Sequence, residues 1–260
     1  MMSMAKRATG VALSICATLL SAQSAKAHDF FLLPDKTIAP AAELRIKATI
    51  GSQFPKAEIA ITSDRTENLV VRGQGSPKLS VVSADADGLI LRVDGAAAGT
   101  VVAAVSMKAR DVDYGEDRIP LILEEYRIAP AAVASIERGR KPRTLRVVSR
   151  RMAKTIVCAV TCDGMKIAVA PMGEGFEFVA ADATGKRYRL MMNGRPLGNY
   201  PVDLADSSGK RIKVVTDANG EVAAPPAGAG LHMLFAAHMT LPKDQERYGL
   251  DLTSLTVERR

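Results

Sequence analysis

The sequence predicts a mainly β protein: two β-sandwich domains with a short helical excursion. Three observations carry this. Apolar and polar residues alternate with period two, most clearly where Leu44, Ile46, Ala48 and Ile50 interleave with Arg45, Lys47 and Thr49. Turn pairs such as Asp87-Gly88 and Asp94-Gly95 punctuate the chain at the short spacing of sandwich strands. Helical spacing is confined to residues 119–140. The 260-residue length, 47% hydrophobic and 24% charged, excludes a disordered or collagen-like chain and suffices for a core without metal or disulfide support.

Residues 1–27 are expected to be a secretory leader and stand apart from the fold. Lys6 and Arg7 precede an apolar stretch at 11–22, and Ala25-Lys26-Ala27 has the small-x-small pattern of a cleavage site. That stretch is shorter than the roughly 20 residues that span a bilayer. Cys16 lies inside it behind Ile15, away from the cleavage point, which argues against a lipid anchor. The mature protein is therefore expected to be periplasmic, with no transmembrane segment. The leader carries Lys6, Arg7 and Lys26 and no acid, so the formal net charge of +7 falls to +4 without it. With no Trp and no basic run interleaved with aromatics, nucleic-acid binding is not expected.

The first domain is expected over 28–182. Its strands are predicted at 44–50, 58–61, 69–72, 79–83, 89–93 and 100–107, then at 156–160, 166–170 and 176–179, with Asp163-Gly164 as a hairpin turn. Between them, Leu121, Leu123, Tyr126 and Ile128, then Ala132, Val133 and Ile136, suit two short helices broken at Pro130. Asp182-Ala183-Thr184-Gly185 reads as a linker to a second sandwich over 183–260. There Asn193-Gly194, Ser208-Gly209 and Asn219-Gly220 separate strands near 188–192, 202–204, 212–215, 231–238 and 250–257.

The most informative residue is His28, which cleavage after Ala27 would make the first of the mature chain. A terminal histidine offers its α-amine and Nδ1 as a chelating pair, and one further imidazole completes a three-nitrogen site suited to Cu or Ni. The plainer reading is that some residue must follow a cleavage site. His232 and His238 share one face of an apolar strand but lie roughly 20 Å apart at about 3.3 Å per residue, so at most one can join His28. The strand end favours His238, with Met239 beside it as a thioether donor and Asp29 as an outer hydrogen-bond acceptor. Cys158 and Cys162 are the two mature cysteines and candidates for a local disulfide, provided the chain bends to bring their Cα atoms within about 7 Å. The acidic run Asp111, Asp113, Glu116 and Asp117 lacks EF-hand spacing and reads as a solvated loop. No hydrolase, kinase or dinucleotide-binding motif occurs.

The chain resembles the DUF4198 family, secreted β-rich proteins related to periplasmic components of nickel and cobalt uptake. The resemblance rests first on Ala27-His28-Asp29-Phe30-Phe31-Leu32-Leu33-Pro34. Leu123-Glu124-Glu125-Tyr126, Arg151-Met152-Ala153-Lys154-Thr155, Asn193-Gly194-Arg195-Pro196-Leu197 and Thr216-Asp217-Ala218-Asn219-Gly220 extend it, as does the 230–238 strand. The two Gly-containing segments are also similar to Cna-B and carboxypeptidase-regulatory sandwiches. The resemblance implies a non-enzymatic, metal-associated periplasmic protein with His28 and His238 at the family's histidine positions. His232 stands where the family shows Trp, and Pro130 departs from its helical segment.

Together these readings favour a protein that binds a transition-metal ion (Ni, Co or Cu), or a metal complex, at His28 and His238. It would serve an inner-membrane metal transporter or a TonB-linked uptake system. The alternatives are a carbohydrate- or protein-binding sandwich without metal and, less favoured, a copper oxidase or oxygenase on the same nitrogens.

Overall fold

The computed structural model describes residues 28–173, 175–224, 230–243 and 247–258. The expected leader, with Cys16, lies outside them. In chain order the strands begin with β1 (Asp29–Pro34), β2 (Ile38–Ala39), β3 (Arg45–Gly51), β4 (Thr66–Arg72), β5 (Gly75–Ala84), β6 (Leu89–Ala96) and β7 (Gly99–Tyr114). Helices α1 (Ile119–Glu125) and α2 (Pro130–Glu137) follow, then β8 (Leu145–Ala159), β9 (Phe176–Ala180), β10 (Arg187–Met192) and β11 (Arg195–Pro196). The last strands are β12 (Pro201–Ala205), β13 (Arg211–Val215), β14 (Glu221–Ala223), β15 (Leu231–Thr240) and β16 (Tyr248–Glu258).

These form a layered β-sandwich built on one large central sheet, ordered β13-β12-β15-β16-β8-β7-β4, with β2 added beside β8. Its centre is the long antiparallel pair β7 and β8, flanked by β16 running parallel to β8 from Tyr248↔Val147 to Thr256↔Thr155. Strands from both sides of residues 182–183 thus share this sheet, and residues 181–186 turn between β9 and β10, which pair with each other.

Alternation along each strand decides what covers each face. On β15, Met233, Phe235, Ala237 and Met239 enter a core closed by α1 and α2, while Leu234 and Ala236 enter a second core on the opposite face. That second core is covered by the small β9, β10, β14 and β11 sheet through Phe176, Phe178, Tyr188 and Leu190. On the helix-bearing face a four-stranded sheet, β1-β3-β6-β5, closes a third core, where Leu89, Leu91 and Val93 of β6 meet Val101, Ala103 and Val105 of β7. β1 divides the two cores of this face. Phe31 and Leu33 pack toward the helices, and Phe30 and Leu32 toward the four-stranded sheet.

The helical excursion takes the expected form. Pro130 opens α2 at its first turn, where a missing N–H costs no hydrogen bond. Arg127, at φ 50, turns the chain out of α1. At 166–170 the expected strand is instead a 3-10 turn, Met165–Ala168, capped by Gly164 at φ +78, so Asp163-Gly164 makes no hairpin. Val160, at φ 62, and the link between Cys158 and Cys162 have already bent the chain off the sheet, and a short apolar run fits either geometry. At 58–61 the strand reduces to a bridge between Ile59 and Ile50, because β1 and β6 already pair with β3 on both sides up to that point.

Candidate functional site around His28

Pairing of β1 with β3 fixes the backbone at the start of the described chain, from Asp29↔Gly51 to Pro34↔Ile46. Arg151 of β8 donates from Nη1 to the His28 carbonyl at 2.9 Å, and the buried Ser254 hydroxyl donates to the Phe30 carbonyl at 2.7 Å. His28 is therefore held at a set place while its side chain stays exposed. Its imidazole makes no hydrogen bond among the described residues.

The other two histidines are elsewhere. His238 is paired with Asp251 on β16 and shares the face of Leu234 and Ala236, toward the small sheet. Arg151, which holds His28, sits opposite Leu252 of the helix-side core, so the central sheet separates His28 from His238. A metal with ligands at about 2 Å cannot take both. The expected three-nitrogen site is not assembled, because adjacent residues on a strand point to opposite faces. The same alternation sends Met239 into the helix-side core, away from His238.

His238 instead completes an aromatic cluster, with its ring 5.9 Å from both Phe176 and Tyr200. The Tyr200 hydroxyl donates to the Ala237 carbonyl at 2.8 Å and lies 2.9 Å from His238 Nδ1. A hydroxyl has one proton, so Nδ1 carries the hydrogen of that second contact. Burial holds His238 below the ordinary histidine pKa, partly opposed by Asp251. His232 lies on the same face and is buried, with no hydrogen-bond partner for its Nδ1 among the described residues.

Asp29 does not orient His28. It points the opposite way along β1 and is 2% exposed, paired with Arg211 of β13. Arg211 also reaches Asp203 at 3.3 Å and lies 5.4 Å over the Phe235 ring, while Arg127 holds the other Asp203 oxygen at 3.1 Å. Burial raises the Asp29 carboxyl to about 6, because desolvation outweighs the favourable Arg211 charge; Glu125 adds to the rise and Arg151 opposes it. Glu125 and Arg151 thus both act on Asp29, and all three come from segments that carry the family resemblance. Asp203 and Arg211 also line a cleft of about 340 Å³ between the 52–54 loop, α1, β12 and β13.

On the other side of β1, His28 opens onto a hollow of about 300 Å³ between β3, β7 and β8. Arg65, Lys108, Arg110 and Arg151 line it together with Tyr114 and Ser149, against an apolar wall of Ile50, Ile59 and Val112. A β-bulge builds the basic side. Met107 pairs with Arg151 and Arg110 with Ser149, so β7 spends one extra residue there. That insertion reverses the alternation and brings Arg110 onto the face that Met107 occupies. A period-two reading places Arg110 on the far side, which is why this cation escaped the sequence; Arg151 stood within a family-like segment without a role.

Cys158 and Cys162 form a disulfide, with Cα atoms 4.8 Å apart. Three acids of the run are bound by cations: Asp111 and Asp113, on β7, by Arg247, and Glu116 by Arg143 through both its side chain and its backbone N–H. Among the described residues, no three His, Cys, Asp or Glu side chains converge as a metal site, and no helix is long and apolar enough to cross a membrane.

Fold and site together define a β-sandwich protein with a histidine fixed at the mouth of a basic hollow. The family model described as "Domain of unknown function (DUF4198)" matches residues 25–240, and the chain belongs to that family. No curated protein matches it.

Proposed function

We propose that the chain is an exported, non-enzymatic binding protein that holds a transition metal, Ni, Co or Cu, at His28 for delivery to an uptake transporter. The observation that carries this reading is that His28 presents an exposed imidazole with no hydrogen bond among the described residues, on a backbone fixed by β1 and Arg151. His232 is buried and His238 is engaged by Tyr200. Cleavage after Ala27 adds the α-amine as a second nitrogen. Four cations line the adjoining hollow, so a metal carrying anionic ligands of its own is favoured over a bare dication.

Thermal melting of protein beginning at His28, with and without each metal, tests this. Binding to the native state stabilises by about 2.7 kcal/mol at 100 Kd, and a form with one extra residue before His28 should lose that gain. A second reading, recognition of a non-metal partner, is favoured by the cleft beside Arg211, large enough for a small ligand. Under it, metals leave the melting temperature unchanged.

A further inference from the structure

We infer that the hollow beside His28 is itself a binding site for a small polycarboxylate, a di- or tricarboxylic acid with a short carbon skeleton. The inference rests on the hollow alone and stands without a metal.

Charge is the first argument. Arg65, Lys108, Arg110 and Arg151 converge on one space of about 300 Å³. Arg151 spends one N–H on the His28 carbonyl, and none of the four forms an ion pair with a carboxylate among the described residues. Asp64 feels Arg65 and Lys108 electrostatically but pairs with neither, and the nearby Asp111 and Asp113 are already bound by Arg247. Arg143, Arg187 and Arg211 elsewhere are held by carboxylates, whereas these four share one concave space without such a partner among the described residues. Arg151 also acts on the buried Asp29, but four cations facing a shared hollow still leave a field that a multivalent anion neutralises.

A second, independent observation lies in the wall. Ser149 is 5% exposed, and its hydroxyl has no hydrogen-bond partner among the described residues. A buried hydroxyl without a partner costs free energy, which rotation of the Ser149 side chain toward a bound oxygen atom would recover. Ser149 pairs with Arg110 across the bulge, so this hydroxyl and that guanidinium belong to the same side of the hollow.

The shape of the hollow selects among anions. Three arginines offer planar forks that match carboxylates bidentately. Opposite them, Ile50, Ile59 and Val112 present an apolar surface that an inorganic oxyanion cannot use and a carbon chain can.

The test is calorimetric titration with citrate, succinate, acetate and inorganic phosphate in metal-stripped buffer without added chelator, since common chelators are themselves polycarboxylates. We expect one-to-one citrate binding that weakens with added salt, with acetate and phosphate at least about tenfold weaker. Lys108→Gln with Arg110→Gln, both exposed side chains, should lower citrate affinity by about tenfold or more while leaving the melting temperature unchanged. His28→Ala should leave citrate binding within about twofold, which separates this site from the metal reading. No citrate binding at millimolar concentration overturns the inference. So does equal binding of phosphate, or an affinity unchanged in the double variant.

Discussion

His28 and His238 lie on opposite sides of the central sheet: Arg151, which holds the His28 carbonyl, faces the helix-side core, while His238 faces the small sheet beside Phe176. Two imidazoles at expected family positions therefore have different jobs. One is presented to solvent, and the other is packed against aromatic rings, with its Nδ1 hydrogen on Tyr200.

For His238 this arrangement predicts a depressed titration. An NMR pH titration should place its midpoint below the ordinary 6.5, because burial opposes the charged ring more than Asp251 supports it. Tyr200→Phe removes one acceptor and one donor from the cluster and should cost about 1 kcal/mol in urea unfolding.

Lys154 and Glu177 join the central sheet to the small one through a 2.7 Å ion pair in which each side chain is 2% exposed. Lys154 also donates to the Phe178 carbonyl, and Glu177 accepts from the Met172 and Gly173 backbones. Glu177→Ala should destabilise the protein by roughly 3–5 kcal/mol, since it leaves a buried ammonium without its charge partner. The double variant Lys154→Met, Glu177→Leu should recover much of that loss in the same unfolding assay.

Asp29 gives a pH signature. Its carboxyl ionises near 3.8 when unfolded and near 6 when folded, so between those values the native state binds more protons. Stability from this group is full below the lower value and falls as pH rises through the upper one, by roughly 3 kcal/mol in total. Asp29→Asn should flatten the unfolding free energy over this window.

The disulfide is a short staple. Reducing it, or replacing Cys158 and Cys162 by Ser, should cost roughly 2 kcal/mol through the entropy of so small a loop. Intact-mass measurement with and without reductant reports its presence directly.

Much of the fold was legible because period-two alternation is a local signal. Leu89, Leu91 and Val93 reveal the buried face of β6 without any neighbour, and Pro130 marks the break between the helices. Pairing across the chain is not local. Nothing near Leu250 announces that β16 runs parallel to β8, and it is this pairing that places His238 and Arg151 on opposite faces. The bulge after Met107 was equally hidden, since one inserted residue moves Arg110 to the other face without disturbing the composition. His28 and the cysteine pair were visible as candidates. Arg65, Lys108 and Arg110 were not, because a cation outside a motif reads as surface until the fold shows that it shares a hollow.

The most direct test of the account is a Ni(II) and Cu(II) titration of protein whose first residue mass spectrometry confirms as His28. The account predicts one-to-one submicromolar binding that is lost in His28→Ala and in a form extended by one residue, and retained in His238→Ala. Binding unchanged by the extension, or abolished by His238→Ala, would contradict it.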